Sequence, residues 1–164
     1  MLVRPLYKVE NFQILLKEIE NIIQKVGFEK NQIICQSLEN NPDQWHLGVG
    51  SIEELAEKEE LKYNQLNKAL VGSYLEEIIK KHNSYRTRIM LMPPRQCYSI
   101  HADPSKRIHI PIITNSHCWM VWPKNSACHQ MTIERAYITD TTQPHTFING
   151  GLEDRIHLVM CVPN

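Results

Sequence analysis

Residues 97–122 read CYSIHAD-PSK-RIHIPIIT-NSH-CWMVW, and this stretch decides the fold. It holds three short runs rich in β-branched and aromatic residues, separated by groups of turn-forming residues. Similar runs flank it: YRTRIMLM at 85–92, CHQMTIERAYIT at 128–139 and DRIHLVMCV at 154–162. Short strands at this spacing predict an antiparallel sandwich or a jelly-roll barrel.

The first half of the chain has a different, helical pattern. Residues 11–26 place their apolar side chains on one stripe, and Gly27 is a natural stop. A short strand is predicted in QIICQS (32–37). Residues 52–82 are predicted to be helical, with Ser51 and Glu54 forming a capping box and a break near Gly72.

Together these patterns predict a mainly β protein with N-terminal helices (α+β). The expected architecture is a double-stranded β-helix, jelly-roll or cupin-like, with the helices packed on one face. We expect a single domain over residues 1–164, in which 1–84 form a mostly helical support and 85–164 form the β-helix core that carries the site. A chain of 164 residues is long enough to bury a core of this kind.

Charge and composition limit the possible functions. Lysine plus arginine and aspartate plus glutamate both number 18, so a general nucleic-acid-binding role is not expected. The N-terminus shows no signal-peptide core, and no apolar stretch approaches the ~18 residues of a membrane span. The five cysteines are scattered without a C-x-x-C pair, which predicts reduced thiols and a cytoplasmic location.

The segment Ser99-Ile100-His101-Ala102-Asp103 is the sharpest chemical signal. On a strand, alternate side chains share a face, so His101 and Asp103 would point the same way with Ser99 beside them. Two histidines and one carboxylate leave coordination positions open, which suits Fe(II) oxygen chemistry. Alone, H-x-D is weak, because a strand-end histidine bonded to a turn aspartate gives the same pattern. His145 is the favoured third ligand and His157 is its rival.

The spacing of further residues strengthens the metal interpretation. His145 follows Asp103 by 42 residues, and Arg155 follows His145 by ten at the start of an apolar strand. At these residues the chain resembles the 2-oxoglutarate- and Fe(II)-dependent dioxygenases, which carry H-x-D, a distal histidine and then a basic residue on a double-stranded β-helix. Arg107-Ile108-His109 and Asn149 resemble motifs of the aspartyl/asparaginyl β-hydroxylase branch. Some members of that branch lack the metal carboxylate, which this chain retains as Asp103.

The resemblance implies an enzyme that uses Fe(II), 2-oxoglutarate and O2, and releases succinate and CO2 as it hydroxylates a carbon of an amino-acid side chain. The substrate would be a free amino acid, a peptide or a protein, and neither nucleic acid nor membrane is an expected partner. His101, Asp103 and His145 would hold the metal. The residues expected to contact the cosubstrate are Arg155, Arg107, His109 and Ser99. The sequence does not predict the oligomeric state.

Other side chains have open alternatives. His109 either lines the pocket or is simply buried, and Arg107 either clamps a carboxylate or is exposed. Trp45 and Arg86 are candidates for substrate binding, whereas we interpret Arg88 and Arg95 as ordinary charges on strand faces. The competing function is a non-catalytic, cupin-like module that binds a metal or a small acid. Arg155 argues against that alternative, because a mere metal binder does not need it.

Overall fold

The computed structural model describes residues 1–40, 43–50 and 57–164, and only the backbone of Glu57. The helices are α1 (Phe12–Val26), α2 (Glu57–Glu60) and α3 (Tyr74–Lys81), with short 3₁₀ turns at Lys68–Leu70 and Pro123–Asn125. The strands are β1 (Val3–Lys8), β2 (Gln32–Ile34), β3 (Gln36–Ser37), β4 (Gln65–Leu66), β5 (Tyr85–Met92), β6 (Gln96–Cys97), β7 (Lys106–Ile113), β8 (Cys118–Trp122), β9 (Ala127–His129), β10 (Arg135–Thr139), β11 (Thr146–Asn149) and β12 (Arg155–Val162).

The strands form two main antiparallel sheets. The larger has the order β1-β10-β7-β12-β5-β2, and the smaller has the order β6-β11-β8-β9. The strands β3 and β4 make a separate short pair. This is the jelly-roll architecture predicted from the sequence, with non-consecutive strands as neighbours.

Alternation along the central strands gives the larger sheet two different faces. On β12, Ile156, Leu158 and Met160 pack in one apolar core with side chains of α1 and α3. Arg155 and Val159 point to the opposite face, where they line a cavity. The packing of the helices on one face of the sheet is therefore confirmed.

The helix α1 forms where the apolar stripe predicts it. Phe12, Leu15, Ile19 and Ile22 are buried, and each contributes roughly 1.5–3 kcal/mol from burial of its side chain. Gly27 ends the helix in a left-handed conformation (φ 75°), with its N–H bonded to the carbonyl of Ile23. A side chain is disfavoured at this φ, so glycine is the natural residue there.

The helical segment predicted over residues 52–82, with a break near Gly72, is only partly present among the described residues. The helix α2 ends at Glu60, and the chain continues through β4 and a 3₁₀ turn before α3 begins at Tyr74. Tertiary hydrogen bonds override the helical pattern, because the buried side chain of Asn67 bonds the carbonyl of Ile34 and the hydroxyl of Ser37. The Ser51–Glu54 capping box lies outside the described residues. The cap of α3 is Ser73, whose hydroxyl accepts from the N–H of Glu76.

Further differences concern the strands. Of the predicted strand CYSIHAD, only Cys97 belongs to a strand (β6), and His101 forms an isolated bridge with His145. The run 128–139 is split into β9 and β10, and β11 was not predicted. The strand β1 was not predicted, whereas β2 lies within the short strand predicted at 32–37, and the two form the edges of the larger sheet. Pro5 makes β1 hard to recognise in the sequence, because proline disfavours a strand unless the strand lies at the edge of a sheet.

Candidate active site

The side chains of His101, Asp103 and His145 come together at the edge of the cavity. Their ligand atoms all lie within 4.8 Å of one another. A reciprocal pair of backbone hydrogen bonds joins His101 to His145, at 3.0 and 2.8 Å, and sets the ring centroids 4.5 Å apart. Asp103 is positioned by its own N–H, which bonds the carbonyl of Thr141 at 2.8 Å. The three side chains are therefore brought together by an isolated β-bridge and a loop, and not by one regular strand.

Both imidazoles are oriented for metal binding. The Nδ1 of His101 lies 2.8 Å from the carbonyl oxygen of Ser99, and the Nδ1 of His145 lies 2.9 Å from that of Gln143. Because a carbonyl only accepts, each Nδ1 carries a proton, and in the neutral ring each Nε2 then keeps a free lone pair. Burial lowers the pKa of His145, which favours the neutral form that ligates metal. Two nitrogen donors and one carboxylate form a set that fits Fe(II).

An ion-pair network holds the carboxylate of Asp103. The guanidinium of Arg107 lies with Nη2 3.3 Å from Asp103 Oδ1 and 2.7 Å from Glu60 Oε1. Its Nη1 bonds the carbonyl and the hydroxyl of Ser105. Glu60 is fully buried, and its Oε1 also pairs with Nη1 of Arg86 at 3.0 Å. Arg107 is thus buried and paired, and not exposed.

These groups border a cavity of about 410 Å³ between the two sheets. The larger sheet contributes Arg88, Met90, His109 and Val159 to its wall, and the smaller sheet contributes Met120 and Phe147. Ser99, Arg86, Arg107 and Arg155 also line it. The wall therefore combines apolar side chains, which exclude water, with several guanidinium groups.

Arg155 lies deep in this cavity with an incomplete set of partners. It is 1% exposed, its Nη2 donates to Nδ1 of His157 at 2.7 Å, and its guanidinium stacks 3.7 Å from the centre of the Phe147 ring. Its Nε has no hydrogen-bond partner among the described residues. Burial lowers the pKa of Arg155 to about 10. No carboxylate in the described part of the chain pairs with it.

Two buried histidines accompany Arg155. Burial, followed by the nearby charge of Arg155, lowers the pKa of both His109 and His157 well below the ordinary value, so both are neutral. His157 accepts from Arg155 and lies 3.4 Å from Nδ1 of His109. The structure groups His145, and not His157, with His101 and Asp103.

The other predicted residues are distributed as follows. Ser99 lies at the cavity and supplies the carbonyl that orients His101. Arg86 lines the cavity but is held by Glu60 and the carbonyls of Gly48 and Gly50. Trp45 was expected to form a wall of the substrate site, but it packs against the core between the larger sheet and the helices and does not line the cavity. Its loop position suggested a substrate wall, but its side chain packs against the core, whereas Gly50 of the same loop lines the cavity.

Sequence reasoning missed Glu60 and misjudged Arg88. Glu60 lies in the charged run EKEE, which gives no sign that this one carboxylate is buried. Arg88 is 6% exposed and lines the cavity, so it is not an ordinary surface charge. The alternation of YRTRIMLM contained the signal, because Arg86 and Arg88 share a face with Met90.

The chain matches the family described as aspartyl/asparaginyl beta-hydroxylase over residues 10–164. The chain belongs to this family. The resemblance seen in its motifs is thereby confirmed. No curated protein matches the sequence.

Two solved structures are similar to this family member. One is a viral collagen prolyl hydroxylase from Paramecium bursaria chlorella virus 1, with 11% identity, a TM-score of 0.54 and coverage of 99% of this chain and 91% of that one. The other is a cupin domain from Bordetella pertussis, with 16% identity, a TM-score of 0.42 and coverage of 48% and 81% respectively. The viral enzyme supports the fold. Among the described residues, no helix is long and apolar enough to cross a membrane.

Proposed function

We propose that this protein is an Fe(II)- and 2-oxoglutarate-dependent dioxygenase that hydroxylates a carbon of an amino-acid side chain, in a free amino acid, a peptide or a protein. One observation carries the proposal. A metal-ready group of two histidines and one aspartate shares a single cavity with a buried arginine that lacks an anionic partner among the described residues.

His101, Asp103 and His145 would hold the iron. Bound there, iron supplies the activation of O2 that attack on an unactivated C–H bond requires, with oxidative decarboxylation of the cosubstrate to succinate and CO2. The backbone carbonyls of Ser99 and Gln143 fix the two imidazoles. Arg107 would act through Asp103, because its Nη atoms are occupied by Asp103, Glu60 and Ser105.

Arg155 would bind the distal carboxylate of 2-oxoglutarate. An always-charged guanidinium that is buried needs a counter-ion, and a bidentate carboxylate also fixes the orientation of the bound molecule. The Phe147 ring and His157 hold the guanidinium in place. A contact from His109 to the same molecule stays a prediction, as does a contact from Ser99.

The remaining wall would keep water away from the reacting carbon. Met90, Met120 and Phe147 offer no hydrogen bonds to bulk water at the centre of the cavity. The five cysteines are free thiols, which supports the proposed cytoplasmic location.

The test is succinate formation by the purified protein, supplied with Fe(II), O2 and 2-oxoglutarate and screened over amino acids and peptides. We expect succinate only when iron and 2-oxoglutarate are both present, and more when a substrate is added. His101→Ala should lose metal binding, measured with Co²⁺ by its absorption spectrum, whereas His117→Ala, which changes an exposed histidine outside the site, should not. Binding of metal and 2-oxoglutarate without any succinate would instead support the non-catalytic cupin-like module.

A further inference from the structure

The charges around the cavity are unevenly balanced. Arg86 and Arg107 share the carboxylate of Glu60, and Arg107 also pairs with Asp103. These four charges cancel. His109 and His157 add none, because their pKa is lowered well below the ordinary value by burial. Among the described residues that line the cavity, the guanidinium groups of Arg88 and Arg155 are left without a carboxylate partner.

Arg88 is the guanidinium that the proposed chemistry does not use. It is 6% exposed and lines the cavity. Its Nη1 donates to Oε1 of Gln32 at 3.2 Å, which is a neutral acceptor. Its Nε is buried without a partner, and no ion pair reaches it from the described residues. Because a buried charge without a counter-ion is costly, Arg88 calls for an anionic partner that the described residues do not supply.

Arg88 and Arg155 lie at different positions along the sheet. In the larger sheet Arg88 lies opposite Val159, and Arg155 lies opposite Met92. The backbones of the two arginines are therefore four residues apart along paired strands, about 13 Å at ~3.3 Å per residue. On the other side of Val159 lies His109, so Arg88 belongs to the same row of the sheet as a second cavity residue.

We propose that Arg88 is the receptor for a carboxylate of the substrate. This rests on the proposed function, since it gives Arg155 to the cosubstrate and the second free guanidinium to the molecule that is hydroxylated. Gln32 presents Arg88 to the cavity, because its Oε1 also accepts from the N–H of Gly50 and is thereby fixed. The substrate class is an amino acid or peptide with a carboxylate within reach of the reacting carbon.

The binding test uses acetate as the probe and the side-chain Nε–H signal of Arg88 as the reporter. The ¹⁵N-labelled full chain is loaded with Zn²⁺ and saturating 2-oxoglutarate, and the signal is assigned with Arg88→Lys. We expect acetate to move the Arg88 signal in a saturable way, while the Arg155 signal stays fixed and acetamide, the neutral isostere, has no effect. No movement with acetate, or equal movement with acetamide, overturns the proposal.

A turnover test follows once the succinate screen has identified a substrate, with its acid and amide forms compared. Arg88→Gln should lower kcat/KM for the acid form at least tenfold, equal to about 1.4 kcal/mol, and change the amide form much less. Equal losses on both forms, or a substrate without a carboxylate, overturn the proposal. Failure of the proposed function is distinguishable, because then 2-oxoglutarate would not move the Arg155 signal, whatever acetate does at Arg88.

Discussion

Replacing Arg155 with methionine should weaken the binding of 2-oxoglutarate without lowering the stability of the unliganded protein. The fold lowers the pKa of Arg155 from 12.5 to about 10 through burial. That shift corresponds to roughly 3 kcal/mol by which the fold disfavours the charged guanidinium. At neutral pH the group is charged in both the folded and the unfolded chain, so the whole penalty is present in the unliganded protein.

The methionine variant removes this penalty together with some favourable contacts. It loses the hydrogen bond to His157 and the stacking on Phe147, which together contribute about 1–3 kcal/mol. We therefore expect the free energy of unfolding of the unliganded variant to equal that of the parent or to exceed it by up to about 2 kcal/mol. Apolar replacement of buried charges has this outcome in other proteins.

Binding of 2-oxoglutarate should respond in the opposite direction. Charge-assisted hydrogen bonds contribute about 1.5–3 kcal/mol each, so the dissociation constant should rise at least tenfold. With 2-oxoglutarate at ~100 times the parent's dissociation constant, the parent gains about 2.7 kcal/mol of stability and a variant weakened tenfold gains about 1.4 kcal/mol.

The assay is denaturant unfolding of the metal-loaded protein with and without 2-oxoglutarate. Arg135→Met is the matched control, because it makes the same change at an exposed arginine on a strand. The reasoning is refuted if Arg155→Met keeps the full stabilisation by 2-oxoglutarate, or if the unliganded variant loses several kcal/mol.

Three further expectations concern the network, the buried histidines and the helical layer. Glu60→Gln leaves two buried guanidinium groups with less compensation, so unfolding should become easier by about 3–5 kcal/mol and Co²⁺ should bind more weakly, whereas the neighbouring Glu59→Gln should change neither; equal effects would remove the special role of Glu60. For His109 and His157 the pKa is lowered in the fold, so their contribution to stability is complete above about pH 6.5 and is lost as the pH falls below it, by up to about 1.4 kcal/mol per pH unit for each. His157→Gln should flatten this slope in denaturant titrations of the metal-free protein, and an unchanged slope would contradict the assignment. Leu15→Ala should cost about 2–5 kcal/mol in thermal or chemical unfolding with little change in the half-saturating concentration of 2-oxoglutarate, since Leu15 packs on the face of the sheet opposite the cavity.

The sequence by itself determined the features that depend on local periodicity and on motif spacing. The apolar stripe of residues 11–26 became α1, and the alternation of RIHLVMCV placed Arg155 and His157 on the face opposite Ile156 and Leu158. The grouping of His101, Asp103 and His145 was also predicted from the sequence, because the spacing of H-x-D and a distal histidine does not depend on the local structure of these residues. His101 and Asp103 do come together, although on a bridge and a loop and not on the regular strand that was predicted.

Only the tertiary structure decided which charges are buried and what they meet. Glu60 and Arg107 are 47 residues apart in sequence, and no local pattern distinguishes Glu60 from the charged residues beside it. The helical pattern predicted over residues 52–82 is interrupted for the same reason, since Asn67 forms hydrogen bonds with Ile34 and Ser37, which are 33 and 30 residues away in sequence. In the sequence Arg88 is only a charged residue within a predicted strand, and whether its guanidinium is buried depends on the sheet that packs against it. Periodicity reports the faces of an element, whereas the electrostatic environment of a side chain is set by distant segments that only packing brings near.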